Sequence, residues 1–156
     1  MIEIREVFIP DEKAVICNDI LRALPNWFGI EPSILDYVNQ VRKLPFYTAY
    51  ENSKPLGFVA LKIHNPYTAE VCVMGVLEGY HRRGIGKKLI ALCEDYCVDN
   101  GMEFLTVKTL DQSREDEGYE KTRLFYRAVG FKPLEVFPLL WDEYNPCLFM
   151  AKYIGK

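Results

Sequence analysis

The sequence predicts a mixed α/β fold, a largely antiparallel twisted sheet of about seven strands with about four helices, in a single domain spanning residues 1–156. Three observations carry this. Three consecutive strand-like runs lie between Phe46 and Leu77. A strand, a glycine-rich turn, a helix and another strand follow one another from Thr68 to Leu110, the order of a right-handed crossover. Finally, 156 residues at 49% apolar content suffice for one continuous core, with no internal repeat or low-complexity linker to divide it.

Taken in order, "IEIREVFI" alternates as a strand does, and "DEKAVICNDILRALPNW" places Val15, Ile16, Ile20, Leu21 and Leu24 at helical spacing until Pro25 stops it. "PSILDYVNQVRKL" reads as a second helix with Pro32 near its first turn. "FYTAYENSKPLGFVALKIHN" is a hairpin turning at Asn52 to Pro55, and "TAEVCVMGVL" a third strand that Gly75 interrupts, the mark of a bulge or a close backbone approach. From Ile85 a helix carries Leu89, Leu92, Cys93, Tyr96 and Cys97 on one face and closes at Asn100-Gly101, before the strand "MEFLTVKTL". A polar loop "DQSREDEG", a helix "YEKTRLFYRAV" ended by Gly130, and the strands "FKPLEVFPLLW" and "CLFMAKYI" complete the chain.

Composition excludes several classes of function. A net charge of -3 gives no global electrostatic footprint for nucleic acid. No apolar run reaches the roughly 18 residues of a membrane span, and the acidic "MIEIREVFIPDEK" is unlike a signal peptide, so a cytoplasmic protein is expected. The odd count of five cysteines fits reduced, buried thiols. Cys93 and Cys97 sit one helical turn apart, but neither His64 nor His81 offers ligand spacing, so no metal site is expected.

The stretch "GVLEGYHRRGIGKKLI" poses the functional question. It gathers His81, Arg82, Arg83, Lys87 and Lys88 where a helix begins, and a helix N-terminus already carries about half a positive charge. Such a concentration calls for an anion, and a phosphate held by backbone N–H groups freed by glycine is the natural one. A Walker A loop needs Lys and Ser/Thr after its second spaced glycine, where Ile85 and Gly86 follow Gly84. The dinucleotide fingerprint needs a third glycine where Leu89 stands. An ordinary solvated basic helix face is the bland alternative.

"VLEGYHRRGIGKKLI" resembles motif A of the GNAT N-acetyltransferase superfamily, in which Gln or Arg, two residues of any kind, Gly, any residue, and Gly or Ala follow a strand ending in valine. His81 takes the Gln/Arg position, a mild departure because most diphosphate contacts there are backbone amides. The resemblance implies acetyl-coenzyme A as co-substrate, with Arg82, Arg83, Gly84, Ile85, Gly86, Lys87 and Lys88 around its diphosphate. It also implies that Met74, Gly75 and Val76 pair with the pantetheine arm as an added strand would, that the central strands splay at the coenzyme site, and that a homodimer forms as family members often do.

Acetyl transfer to an amine needs a neutral nucleophile, a home for the oxyanion and a proton for the departing thiolate. An amine of pKa near 10.4 is neutral in only roughly one molecule in 2,500 at pH 7, so a general base is useful. Glu70, six residues before Val76, coincides with the base position of the histone-acetyltransferase branch; the alternative is a solvent-facing carboxylate on a half-exposed strand. A strand N–H unpaired near Gly75 would serve the oxyanion, unless that glycine is there for packing. "TRLFYRAVGF" resembles motif B and assigns Tyr126 as general acid, the alternative being a core aromatic. Thr122 stands where the family often has Ala, and Tyr119 where it often has Asn, which puts one coenzyme contact in doubt.

For the acceptor, the family implies the loop between the first two helices, the loop after the fifth strand and the last strand pair: "LPNWFGI", "DQSREDEGYE" and "LLWDEYNPC". Trp27, Phe28, Trp141, Tyr144 and Asn145 would wall a pocket, and Asp142, Glu143 or the Glu115–Glu117 run would attract a cationic amine; singly, each also fits a core cap or a solvated face. "LPNWFGI" and "NPC" resemble an uncharacterised bacterial branch of the superfamily. The expected reaction is acetylation of a small-molecule primary amine through a ternary complex, with a peptide or protein amine, or a non-catalytic acyl-coenzyme A sensor, as alternatives.

Overall fold

A computed structural model describes residues 1–155. Its elements are β1 (Ile2–Glu6), α1 (Pro10–Arg22), α2 (Glu31–Gln40), a 3-10 turn (Val41–Lys43), β2 (Phe46–Glu51), β3 (Lys54–Asn65), β4 (Thr68–Val76), a second 3-10 turn (Glu78–Tyr80), α3 (Ile85–Asp99), β5 (Phe104–Leu110), α4 (Glu117–Ala128), β6 (Lys132–Asp142) and β7 (Asn145–Tyr153). The strand order is β1-β2-β3-β4-β5-β7-β6, and the pairings β1–β2, β2–β3, β5–β7 and β6–β7 are antiparallel. This is the mixed α/β fold that the sequence predicts, with a mostly antiparallel sheet. Among the described residues no helix is long and apolar enough to cross a membrane.

The chain forms two compact units, residues 1–62 with 71–95, and residues 63–70 with the chain from Tyr96 onward. In the first, α1 begins with Pro10, carries Asp11 and Glu12 in its first turn and Arg22 in its last, and so complements its own dipole at both ends. Its Ile16, Cys17, Ile20 and Leu21, spaced three and four apart, bury against Phe46, Phe58, Ala60 and Val73 of the sheet. Phe46 and Phe58 stack with centroids 5.1 Å apart. The β2–β3 hairpin turns on Asn52 and Ser53, both left-handed (φ 50° and 65°), so β3 resumes at Lys54 and the turn is shorter than the Asn52–Pro55 expected. Likewise α2 stops at Gln40 and the last residues of its expected span form the 3-10 turn.

The second unit packs α4 near β5, which is buried on both faces and pairs with β7. α3 and α4 end by one device. Gly101 donates to Val98 O and Met102 to Cys97 O; Gly130 donates to Arg127 O and Phe131 to Tyr126 O. In each the glycine is left-handed, φ 69° at Gly101 and 106° at Gly130. A Cβ on Gly101 would meet nothing within 4 Å among the described residues, whereas one on Gly130 would lie 2.9 Å from Lys152 Cε. Gly101→Ala should therefore cost only the backbone penalty of about 1–2 kcal/mol. Gly130→Ala should cost more, because it also dislodges the Lys152 ammonium from Val129 O, 2.7 Å away. Paired urea titrations read the difference.

Candidate active site

In the first unit, β4 ends at a crowded spot. A Cβ on Gly75 would lie 3.1 Å from Ile20 Cγ2 and from Leu24 Cδ1, and one on Gly57 of β3 would lie 3.1 Å from Gly75 O. The glycine that the sequence marked as a bulge or a close approach thus lets α1 and β3 close on the end of β4. The His81 imidazole donates from Nε2 to Val76 O at 2.6 Å, and the Trp27 ring meets His81 edge-on at 5.7 Å. A side chain at the family's Gln/Arg position therefore ties the turn back to the strand it follows.

Beyond that tie the backbone alternates. Arg82 has φ 66° and Gly84 φ 76°, and only residues such as glycine adopt this region without strain. Alternation of handedness of this kind turns successive N–H groups toward one side, as in anion-binding nests. Ile85, Leu89 and Ile90 are buried and seat the first turns of α3, while Arg82, Arg83, Lys87 and Lys88 are exposed. Helices α1, α2 and α4 carry Asp11 and Glu12, Glu31, and Glu117 and Glu120 in their first turns; the first turn of α3 has no acidic residue and two lysines. A Cβ on Gly79 or Gly84 would meet nothing within 4 Å among the described residues, so the turn is open. Amides, charge and space fit a diphosphate.

Trp27 and Phe28 are partly buried against the core of this unit, Phe28 edge-on to Tyr37 at 6.3 Å. Met74 and Val76 are half-buried. Cys17 is buried and its thiol is pushed up to about 12 by burial and then by the neighbouring Cys72, which is half-buried; all five cysteines are free.

In the second unit, α4 begins two residues earlier than the sequence suggested, because Asp116 caps it by accepting from Tyr119 N at 3.0 Å. Arg123, buried, donates to Leu110 O at 2.7 Å and so ties the helix to the end of β5. Beside it, burial alone would raise Asp111, but bonds from Ser113 and the Gln112 amide, with the Arg123 charge, together hold it below the ordinary carboxylate range. Tyr126 is buried, its ring 5.4 Å from Phe125 and 5.5 Å from Phe131. Thr122 donates to Gly118 O within its own helix, and burial, then the Asp116 charge, pushes the Tyr119 hydroxyl up to about 12.

Glu70 is not the solvent-facing carboxylate of the bland alternative. It is 7% exposed and accepts from Lys108 Nζ at 3.2 and 3.1 Å, one bond to each oxygen, and from His64 Nε2 at 2.6 Å. The sequence weighs His64 only as a metal ligand, and Lys108 lies in no motif. The signal was the short turn at Pro66-Tyr67, which folds β3 onto β4 and brings residue 64 beside residue 70. Asn145 spends its amide on both oxygens of Asp142, at 2.9 Å each, and accepts from Arg114; with the Tyr144 amide it holds Asp142 below the ordinary carboxylate range. Trp141 and Tyr144 are exposed, and β6 leaves its register with β7 between Phe137 and Asp142. Among the described residues no three His, Cys, Asp or Glu side chains gather as metal ligands would.

Comparison with known proteins shows the family. The sequence matches the Acetyltransferase (GNAT) family over residues 14–131. It is similar to an uncharacterised N-acetyltransferase of Chlorobaculum tepidum, 23% identical over 121 residues that cover 76% of this chain and 70% of that protein. An aminoglycoside 6'-N-acetyltransferase complexed with coenzyme A superposes with a TM-score of 0.78 at 19% identity, over 99% of this chain and 98% of that one. The ribosomal-protein-S18-alanine N-acetyltransferase of Escherichia coli does so with a TM-score of 0.77 at 16% identity, over 100% and 96%. With three quarters of its length inside the family's pattern, the chain belongs to the GNAT family and is an acetyl-coenzyme A-dependent N-acetyltransferase.

Proposed function

We propose that this enzyme acetylates a primary amine of a small molecule by direct attack within a ternary complex. Residues Arg82 to Lys88 hold the diphosphate of the co-substrate and Met74–Val76 its pantetheine arm. Tyr126 protonates the departing sulfur, and Glu70 serves, directly or through a further group, to take the proton from the acceptor amine. The observation that supports this most is the first turn of α3, which sets two lysines and a left-handed glycine turn where α1, α2 and α4 place acids. An acceptor that arrives as a cation suits the exposed Glu115, Glu117 and Glu120 around the start of α4. Among the fold neighbours one acts on an aminoglycoside and another on a ribosomal protein, so the test includes both kinds of amine.

A panel of aliphatic amines, aminoglycosides and amino-terminal peptides, assayed for release of free thiol, is expected to show saturable turnover with small amines. Turnover with the peptides alone would replace the small-molecule assignment. Calorimetric binding of coenzyme A with no amine-dependent thiol release would leave a sensor in place of an enzyme.

A further inference from the structure

We propose that the base of this enzyme is the imidazole of His64, with Glu70 as the residue that positions it. This rests on the acetyl-transfer reading above and names the group that receives the proton.

The Glu70 carboxylate is already committed. Both its oxygens accept from the Lys108 ammonium and one also accepts from His64, in a setting that leaves Glu70 7% exposed. Protonating it would leave the half-buried Lys108 charge beside a neutral acid and forfeit the attraction that holds the pair. His64 has the complementary arrangement. A carboxylate has no proton to give, so Nε2 is the donor in the 2.6 Å bond and Nδ1 keeps its lone pair. Nδ1 has no hydrogen bond among the described residues, and the side chain is 35% exposed. An acid residue buried behind an imidazole, fixing its tautomer and facing its charge once formed, is how a histidine is made a base.

The charged and titratable groups around the pair are Glu70 from β4, Lys108 from β5 and Cys147 from β7. Burial pushes the Cys147 thiol up to about 11 despite the Lys108 charge, so it stays protonated and does not compete. A base that works near neutral pH also suits an amine acceptor better than an ordinary carboxylate does. In the reaction the ammonium gives one proton to His64 Nδ1. The freed nitrogen pair forms the C–N bond as the C–S bond breaks, and the sulfur takes the Tyr126 hydroxyl proton. The nitrogen's second proton restores Tyr126, and His64 returns its own to solvent.

The chain has two histidines, so nitrogen-15 NMR of the imidazoles resolves His64 from His81. The neutral His64 ring should carry its proton on Nε2, and Glu70→Gln should abolish that preference. His64→Gln retains an amide donor toward Glu70 and removes the base. It should lower kcat/KM for an aliphatic amine by about 10²-fold at neutral pH and move the fall in rate on the acid side up toward the amine's own pKa, with coenzyme A affinity unchanged. For an arylamine, already neutral at pH 7, the loss should shrink to a few-fold. An Nδ1–H tautomer, or a His64→Gln enzyme with the native pH profile, overturns the proposal. If the native chain releases no thiol with any amine, the acetyl-transfer reading fails instead, and the tautomer alone decides whether Glu70 poises His64.

Discussion

Tyr126→Phe is expected to lower kcat by about 10²–10⁴-fold, the worth of a positioned general acid, and to leave the coenzyme A dissociation constant within a few-fold. The substitution removes one oxygen and keeps the ring, so the contacts with Phe125 and Phe131 persist and the end of α4 should hold its shape. A tyrosine hydroxyl of pKa near 10 can protonate a thiolate of pKa about 8.5 only with a small uphill start, and it does so at the moment the sulfur becomes basic. Stopped-flow thiol release separates the two roles open to this residue. A variant that turns over at the native rate makes Tyr126 a core aromatic and nothing more.

Gly84→Val is expected to weaken coenzyme A binding by at least about tenfold, since a left-handed conformation costs an ordinary side chain about 1–2 kcal/mol and a branched one more. At φ 76° the valine would drive the turn toward another backbone, and its Cβ would fill space that is open in the native turn. The fold should survive, because a Cβ at this position meets no neighbour within 4 Å among the described residues. Calorimetry with coenzyme A, beside circular dichroism of the same sample, reads both halves. Native affinity in the variant would remove the basis for placing the diphosphate there.

Both expectations come from features already visible in the sequence, and their visibility has a physical reason. Alternation, helical spacing and closing glycines are local, so the seven strands, the four α-helices and the glycine turn could be read from the chain alone. Element ends are less legible because they depend on single bonds: α4 starts at Glu117 because Asp116 caps it. The surroundings of Glu70 depend on register across the β3–β4 turn and on a lysine 38 residues away, which no periodicity reveals. Asn145 and Phe28 read as acceptor contacts from their place in a loop. The structure shows what occupies them: Asn145 is tied to Asp142 and Arg114, and Phe28 leans on Tyr37.

The contact from Trp27 through His81 to the last carbonyl of β4 has a consequence for anyone screening variants. A selection for altered amine preference that returned changes at Trp27 would invite the conclusion that the indole recognises the acceptor. The same hits would follow, with the diphosphate placed as proposed, from a loosened imidazole and a turn that grips it less firmly. Titrating the co-substrate, and not only the amine, tells a change of taste from a change of grip.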